Sequence, residues 1–141
     1  MQTVRVQKDF SAPPERVFAY LSEHENLGVI FAPAKVKRIR EGDTEPNGVG
    51  SVRRLSFFGA LPFEETITTV VPNERIEYEI TKGTPMRDHH GTMELSPTGS
   101  GGTHLDYTIT FDAAVPGLAA VVAATLRRNI AKGLSKVDAA L

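Results

Sequence analysis

The stretch PGLAAVVAATLRRNIAKGLSKVDAAL, from Pro116 to Leu141, decides the fold, because here the apolar residues change from alternation to helical spacing. Leu118, Val121, Val122, Thr125, Leu126, Asn129, Ile130, Gly133, Leu134, Val137 and Leu141 recur along one side, with Arg128, Lys132 and Lys136 on the other. The pattern predicts an amphipathic, alanine-rich helix of about six turns or more. Its apolar side lacks aromatic anchors and its basic side is thin, so packing on a protein surface is expected rather than on a membrane.

The residues upstream say what that surface is. Thr3 to Phe10 alternates, with Val4, Val6 and Phe10 on one side and Arg5, Gln7 and Asp9 on the other, the pattern of a half-buried strand. Ser11-Ala12-Pro13-Pro14-Glu15 reads as a helix start with Ser11 as its cap, followed by an apolar face of Val17, Phe18, Tyr20 and Leu21. A second helical piece is expected from about Glu25 to Phe31, broken by Ala32-Pro33. Strands are expected at Lys35 to Arg40, Val49 to Phe58, Leu61 to Val71, Arg75 to Lys82, Met86 to Ser96 and Thr103 to Ala113, separated by turn residues rich in Gly, Pro and Asn. Consecutive strands with short turns make an antiparallel meander, and a sheet buried on one face needs a cover. The last helix is the element long enough to provide it, so the fold class is α+β.

Composition narrows the partners. The 141 residues with 40% apolar content suit one domain spanning 1–141 that buries a core without disulfides or a structural metal. A net charge of -1 with no block of like charge argues against a nucleic-acid partner. The chain has no cysteine, which removes disulfides, thiolate metal sites and a cysteine nucleophile. Met1 to Asp9 is charged and alternating rather than a signal core, and no apolar run reaches membrane-span length, so no membrane insertion and a cytoplasmic location are expected.

Turn lengths extend the reading to register. A three-residue loop at Phe58-Gly59-Ala60, with Gly59 left-handed, sets Phe57 against Leu61 and Arg53 against Glu65. A tight turn at Pro72-Asn73 sets Ile67 against Tyr78, and a four-residue loop from Lys82 to Pro85 sets Tyr78 against His89 and Ile76 against Gly91. Pairing Leu95 with Leu105 sets Met93 against Tyr107 and His89 against Phe111. One face then carries Leu55, Phe57, Phe63, Ile67, Ile76, Tyr78, Ile80, Met93, Leu95, Leu105, Tyr107, Ile109 and Phe111, interrupted by Arg53, Glu65, Arg87 and His89. Charge on an inward face is costly unless paired, hydrated or used. Two accounts follow: an Arg53–Glu65 cross-strand pair, Arg87 reaching solvent and His89 bonded in the core to a group such as Tyr78; or the polar part of a ligand cavity.

Other chemistry finds little footing. Gly48-Val49-Gly50 precedes a strand and is a turn, not a phosphate loop, and Gly133-Leu134-Ser135 lies inside a helix and lacks the flanking glycine of a nucleophile elbow. His89 and His90 point to opposite faces, His24 and His104 lie on separate elements, and Glu64 and Glu65 split across the sheet, so neither a metal nor a shared carboxylate site is expected.

The segments Ser11 to Leu21, Gly48 to Arg54, Met86 to Met93 and Gly102 to Tyr107, in that order and spacing, resemble the polyketide cyclase/dehydrase-like branch of the START/Bet v 1-like (SRPBCC) superfamily. The resemblance implies a helix-grip fold: a curved seven-stranded antiparallel sheet wrapped around a long C-terminal helix, two short helices after the first strand, and a hydrophobic cavity between sheet and helix. With that cavity, the candidate ligand-binding residues are Arg53, Phe63, Glu65, Ile67, Tyr78, Arg87, His89, Met93, Tyr107, Phe111, Leu126 and Ile130. The resemblance implies binding of a lipid, quinone or polyketide-like molecule without a cofactor, by a monomer or homodimer. In cyclase relatives cavity arginines and tyrosines handle carbonyls and protons, which makes His89, Tyr107, Arg53 and Arg87 the catalytic candidates, with Tyr78 nearby. A protein-interaction module with a closed core is the third reading. Gly91 and Gly133 could widen a cavity or permit close packing, and Gly91→Leu is expected to fill the cavity.

Overall fold

The computed structural model describes residues 1–56, 62–83 and 86–141. Alternating residues form strands β1 (Gln2–Phe10), β2 (Lys35–Arg40), β3 (Val52–Ser56), β4 (Phe63–Val71), β5 (Arg75–Lys82), β6 (Met86–Pro97) and β7 (Thr103–Ala113). Between β1 and β2 lie helix α1 (Pro14–Ser22) and a short 3₁₀ helix, His24–Gly28; the long helix α2 (Leu118–Ala140) follows β7. The strands form one antiparallel seven-stranded sheet in the order β1-β7-β6-β5-β4-β3-β2. This is the helix-grip layout. The pairing of Phe57 with Leu61, the loop at Gly59 and the Thr84-Pro85 part of the next turn lie outside the described residues.

Some local expectations give way. Ser11 does not cap α1: the helix starts at Pro14, and the Pro13 carbonyl accepts from the Arg16 and Val17 amides, because extended Pro13 leads directly into a proline-locked first turn. In α2, Val121 and Thr125 face solvent, and the buried stripe runs through Ala119, Ala123, Ile130, Gly133, Leu134 and Val137. Small alanines let the helix settle close to β1, along which Arg127 donates to the Thr3 carbonyl at 3.1 Å and Lys8 meets Asp138 at 3.7 Å.

Register is where turn chemistry misleads. Arg53 faces Glu65, Ile67 faces Tyr78, Met93 faces Tyr107 and Leu95 faces Leu105, as expected. The Ile67–Tyr78 pairing arises differently, however: Val71 pairs with Arg75 around a longer turn, and a bulge between Ile67 and Thr69 absorbs the extra residue. Tyr78 pairs with Gly91 and Ile76 with Met93, a two-residue offset from the expected partners His89 and Gly91. An even offset preserves the faces, so Tyr78 stays inside. A second bulge between Arg87 and His90, with Asp88 at φ 52°, removes the His89–Phe111 pairing and reverses the residues before it. Met86 thereby turns toward the core, while Arg87 stands exposed opposite Asp112.

Both glycines serve close packing. A Cβ on Gly133 would come within 2.6 Å of the Ile30 Cα, so the glycine lets α2 lie against the chain after the 3₁₀ helix. A Cβ on Gly91 would come within 2.3 Å of the Tyr78 ring, which lies across that position and leaves no cavity there for a leucine to fill. Gly91→Ala should therefore lower the unfolding free energy by about 1–3 kcal/mol through overpacking. Gly99→Ala, at a position with nothing within 4 Å, is the control, and urea denaturation of both variants should show a shifted midpoint for Gly91→Ala only.

Candidate functional site

The site begins with two opposite charges on one rung of the sheet. Arg53 on β3 and Glu65 on β4 both point inward, and Arg53 Nε donates to Glu65 Oε1 at 2.7 Å. Both residues are buried, at 2% and 3% exposure, so the pair lies inside the core. The guanidinium carbon lies 4.4 Å over the Tyr78 ring, giving the charge a π face as a third neighbour. Arg53 Nη2 is buried without a hydrogen-bond partner among the described residues.

Behind the arginine sits a histidine that the sequence reading did not place in the site. His24 Nε2 lies 2.9 Å from Ser51 Oγ, and Ser51 donates its own proton to the Gly48 carbonyl at 2.7 Å. The Ser51 oxygen therefore accepts from His24 Nε2–H, leaving Nδ1 to accept from Arg53 Nη1 at 3.5 Å. Burial, reinforced by the charges of Arg53 and Arg38, pushes the His24 pKa down to about 3, so the ring is neutral. Its sequence signal was Leu21, His24 and Leu27 at three-residue spacing, a polar member of an otherwise apolar stripe.

On the other side of Glu65 stands His89. The imidazole is not bonded to Tyr78; its Nδ1 accepts the Ile80 amide at 3.1 Å, taking over where the β5–β6 ladder ends beyond Tyr78 and Gly91. The neutral ring thus carries its proton on Nε2, 3.9 Å from Glu65 Oε2. Burial lowers the His89 pKa, against the opposing pull of Glu65. Tyr78 and Tyr107 share a hydroxyl–hydroxyl hydrogen bond, and burial raises both phenol pKa values.

Between the sheet and the first half of α2 lies a cavity of about 270 Å³. Its described lining is Phe31, Leu55, Phe63, Glu65, Tyr78, Ile80, Met86, His89, Ile109, Phe111, Val122 and Leu126. Among the candidate binding residues, Phe63, Glu65, Tyr78, His89 and Phe111 from the sheet and Leu126 from α2 thus line one cavity. Arg53, Ile67, Met93, Tyr107 and Ile130 are buried outside the lining, and Arg87 is exposed on the opposite face of the sheet. Of the four catalytic candidates, His89 alone lines the cavity. Met86 comes in because of the bulge after it, and Phe31 and Val122 because of the packing of separate elements. A smaller apolar groove of about 200 Å³ shares Phe31, Val122 and Leu126 and extends along α2 to Thr125 and Asn129. Among the described residues no group of three His, Cys, Asp or Glu is placed to hold a metal ion, and no helix is long and apolar enough to cross a membrane.

A family model described as polyketide cyclase / dehydrase and lipid transport matches residues 1–141. No curated protein matches the chain. Solved structures share its fold at low identity. The Aha1 dimer from Colwellia psychrerythraea is 16% identical with a TM-score of 0.70, covering 100% of this chain and 96% of that one. A protein from Thermus thermophilus is 20% identical with a TM-score of 0.72, covering 97% and 94%. A protein from Mesorhizobium loti is 19% identical, also with a TM-score of 0.72 and 97% and 94% coverage.

Two outcomes follow from the polar cluster. Arg53→Ala strands a buried carboxylate and should cost about 3–5 kcal/mol, whereas Arg53→Met combined with Glu65→Leu should recover most of that loss in urea titrations. For His24 the unfolded pKa is near 6.5 and the folded value about 3, so below pH 6.5 the unfolded chain binds the proton first. Stability above pH 6.5 is unaffected by this group and falls as pH drops toward 3. His24→Gln should flatten that part of the pH–stability curve relative to the parent.

Proposed function

Because the chain belongs to the polyketide cyclase / dehydrase and lipid transport family, we propose that it binds a small hydrophobic or aromatic molecule in the cavity between its sheet and α2. The observation that carries this reading is the cavity itself: space of about 270 Å³, with a described lining that is apolar apart from Glu65, Tyr78 and His89, between sheet and helix. Removal of apolar ligand surface from water supplies the affinity, at about 25 cal/mol per Å². The few polar groups at one end orient the ligand.

Size argues for a particular kind of ligand. Drug-sized ligands occupy sites of roughly 300–1,000 Å³, so a cavity of about 270 Å³ suits a two- or three-ring aromatic, a quinone head or a short acyl chain. A longer molecule would extend along the groove that shares Phe31, Val122 and Leu126 with the cavity. A core with space in it counts against the closed interaction module. Turnover ranks second: a cyclase or dehydratase acting through His89 has proton-transfer chemistry within the cavity, but Arg53 is held by Glu65 outside the lining and Arg87 is on the outer face.

The test is binding of the neutral fluorophore N-phenyl-1-naphthylamine. The parent should show a blue-shifted, saturable emission, and native mass spectrometry should detect the one-to-one complex. Leu126→Trp, which puts an indole in place of a lining side chain, should weaken binding by about tenfold or more, the loss expected when a few kcal/mol of apolar contact is displaced. Equal affinity of a folded Leu126→Trp variant for the fluorophore would place the binding elsewhere.

A further inference from the structure

The polar end of the cavity is more selective than its apolar walls. Glu65 Oε1 is engaged by Arg53, while Oε2 has no hydrogen bond among the described residues. His89 Nδ1 is engaged by the Ile80 amide, so the ring turns its Nε2–H toward the same space. The two free positions lie 3.9 Å apart, too far to bond directly. One oxygen can stand about 2.8 Å from both, with the two partners at roughly a right angle.

We infer that this gap is a subsite for a hydroxyl group on the apolar ligand, which donates to Glu65 Oε2 and accepts from His89 Nε2–H. The inference rests on the binding function proposed above and names the ligand class: an aromatic or aliphatic alcohol or phenol. The two partners are one acceptor and one donor, and a hydroxyl offers the complementary pair at a single atom. An ether or ketone oxygen accepts from His89 but turns its lone pairs on the carboxylate. A carboxylate ligand adds a second negative charge beside Glu65, which is buried and already has its cation. An ammonium group satisfies Glu65 but faces the His89 N–H and the Arg53 guanidinium. Both partners are fixed from behind, Glu65 by Arg53 and His89 by backbone, so the subsite is organised before a ligand enters.

Calorimetric titration of the intact protein at neutral pH with 1-naphthol, 1-methylnaphthalene and 1-methoxynaphthalene tests this, since the three share one ring system and differ at one substituent. 1-Naphthol should bind about tenfold or more tightly than 1-methylnaphthalene, as expected for hydrogen bonds to a charged partner in a dry site. 1-Methoxynaphthalene, without the donor, should lose most of that advantage, and in His89→Leu, which keeps the Glu65 acceptor, the ratio of naphthol to methylnaphthalene affinity should fall several-fold while staying above one. Equal binding of 1-naphthol and 1-methylnaphthalene would overturn the hydroxyl subsite while leaving the cavity as a binding site. Methoxynaphthalene binding as tightly as naphthol would overturn the donation to Glu65. Failure of all three to bind would overturn the subsite and the binding function together.

Discussion

The buried Arg53–Glu65 ion pair is the constraint on which the rest of this structure depends. Two opposite charges face each other across β3 and β4 inside the core, joined at 2.7 Å. A slip of one residue would carry the charges of one strand to the outer face and strand those of the other, so the pair holds the register between the strands. Taking both charges out of water is expensive, and such pairs seldom add net stability over an apolar replacement. Its consequence is positional. The guanidinium is held over Tyr78 and against neutral His24, and the carboxylate is turned so that one oxygen is spent and the other is left toward the cavity.

Space beside that carboxylate comes from an unequal division of labour along α2. The second half of the helix packs tightly, with Ile130, Leu134 and Val137 buried and Gly133 pressed on the chain at Ile30. In the first half, Ala119 and Ala123 are the buried residues, and Val122 and Leu126 line the cavity from the helix side. A helix clamped at one end and lightly filled at the other leaves a cavity at the lightly filled end. The sheet contributes the complementary asymmetry. Gly91 lets the Tyr78 ring fill the middle, so the open volume is displaced toward Phe63, Met86 and His89.

The proposed binding function draws on both the apolar and the polar parts of the wall. An apolar cavity alone would bind many molecules with little discrimination, because dispersion and burial have no direction. Glu65 and His89, each fixed by a bond made elsewhere, add direction at one end.

The sequence by itself determined the element order, the α+β class, the face on which Tyr78, Tyr107, Met93 and Phe111 lie, and the Arg53–Glu65 rung. The first three follow from local periodicity and from alternation that survives any even shift of register, whereas the rung follows from the turn length read between the two strands. Tertiary structure alone decided which of those inward residues line a cavity and which lie buried behind it. The bulge at Asp88 took Arg87 out and brought Met86 in, a change of one residue that no turn signal encodes. His24 joined the polar cluster because a 3₁₀ helix far from β3 in the chain packs its imidazole between Ser51 and Arg53. Volume, too, is a difference between packed surfaces on separate elements: the same alternating sheet and amphipathic helix close tightly or stand apart depending on where alanine, glycine and leucine meet across the gap.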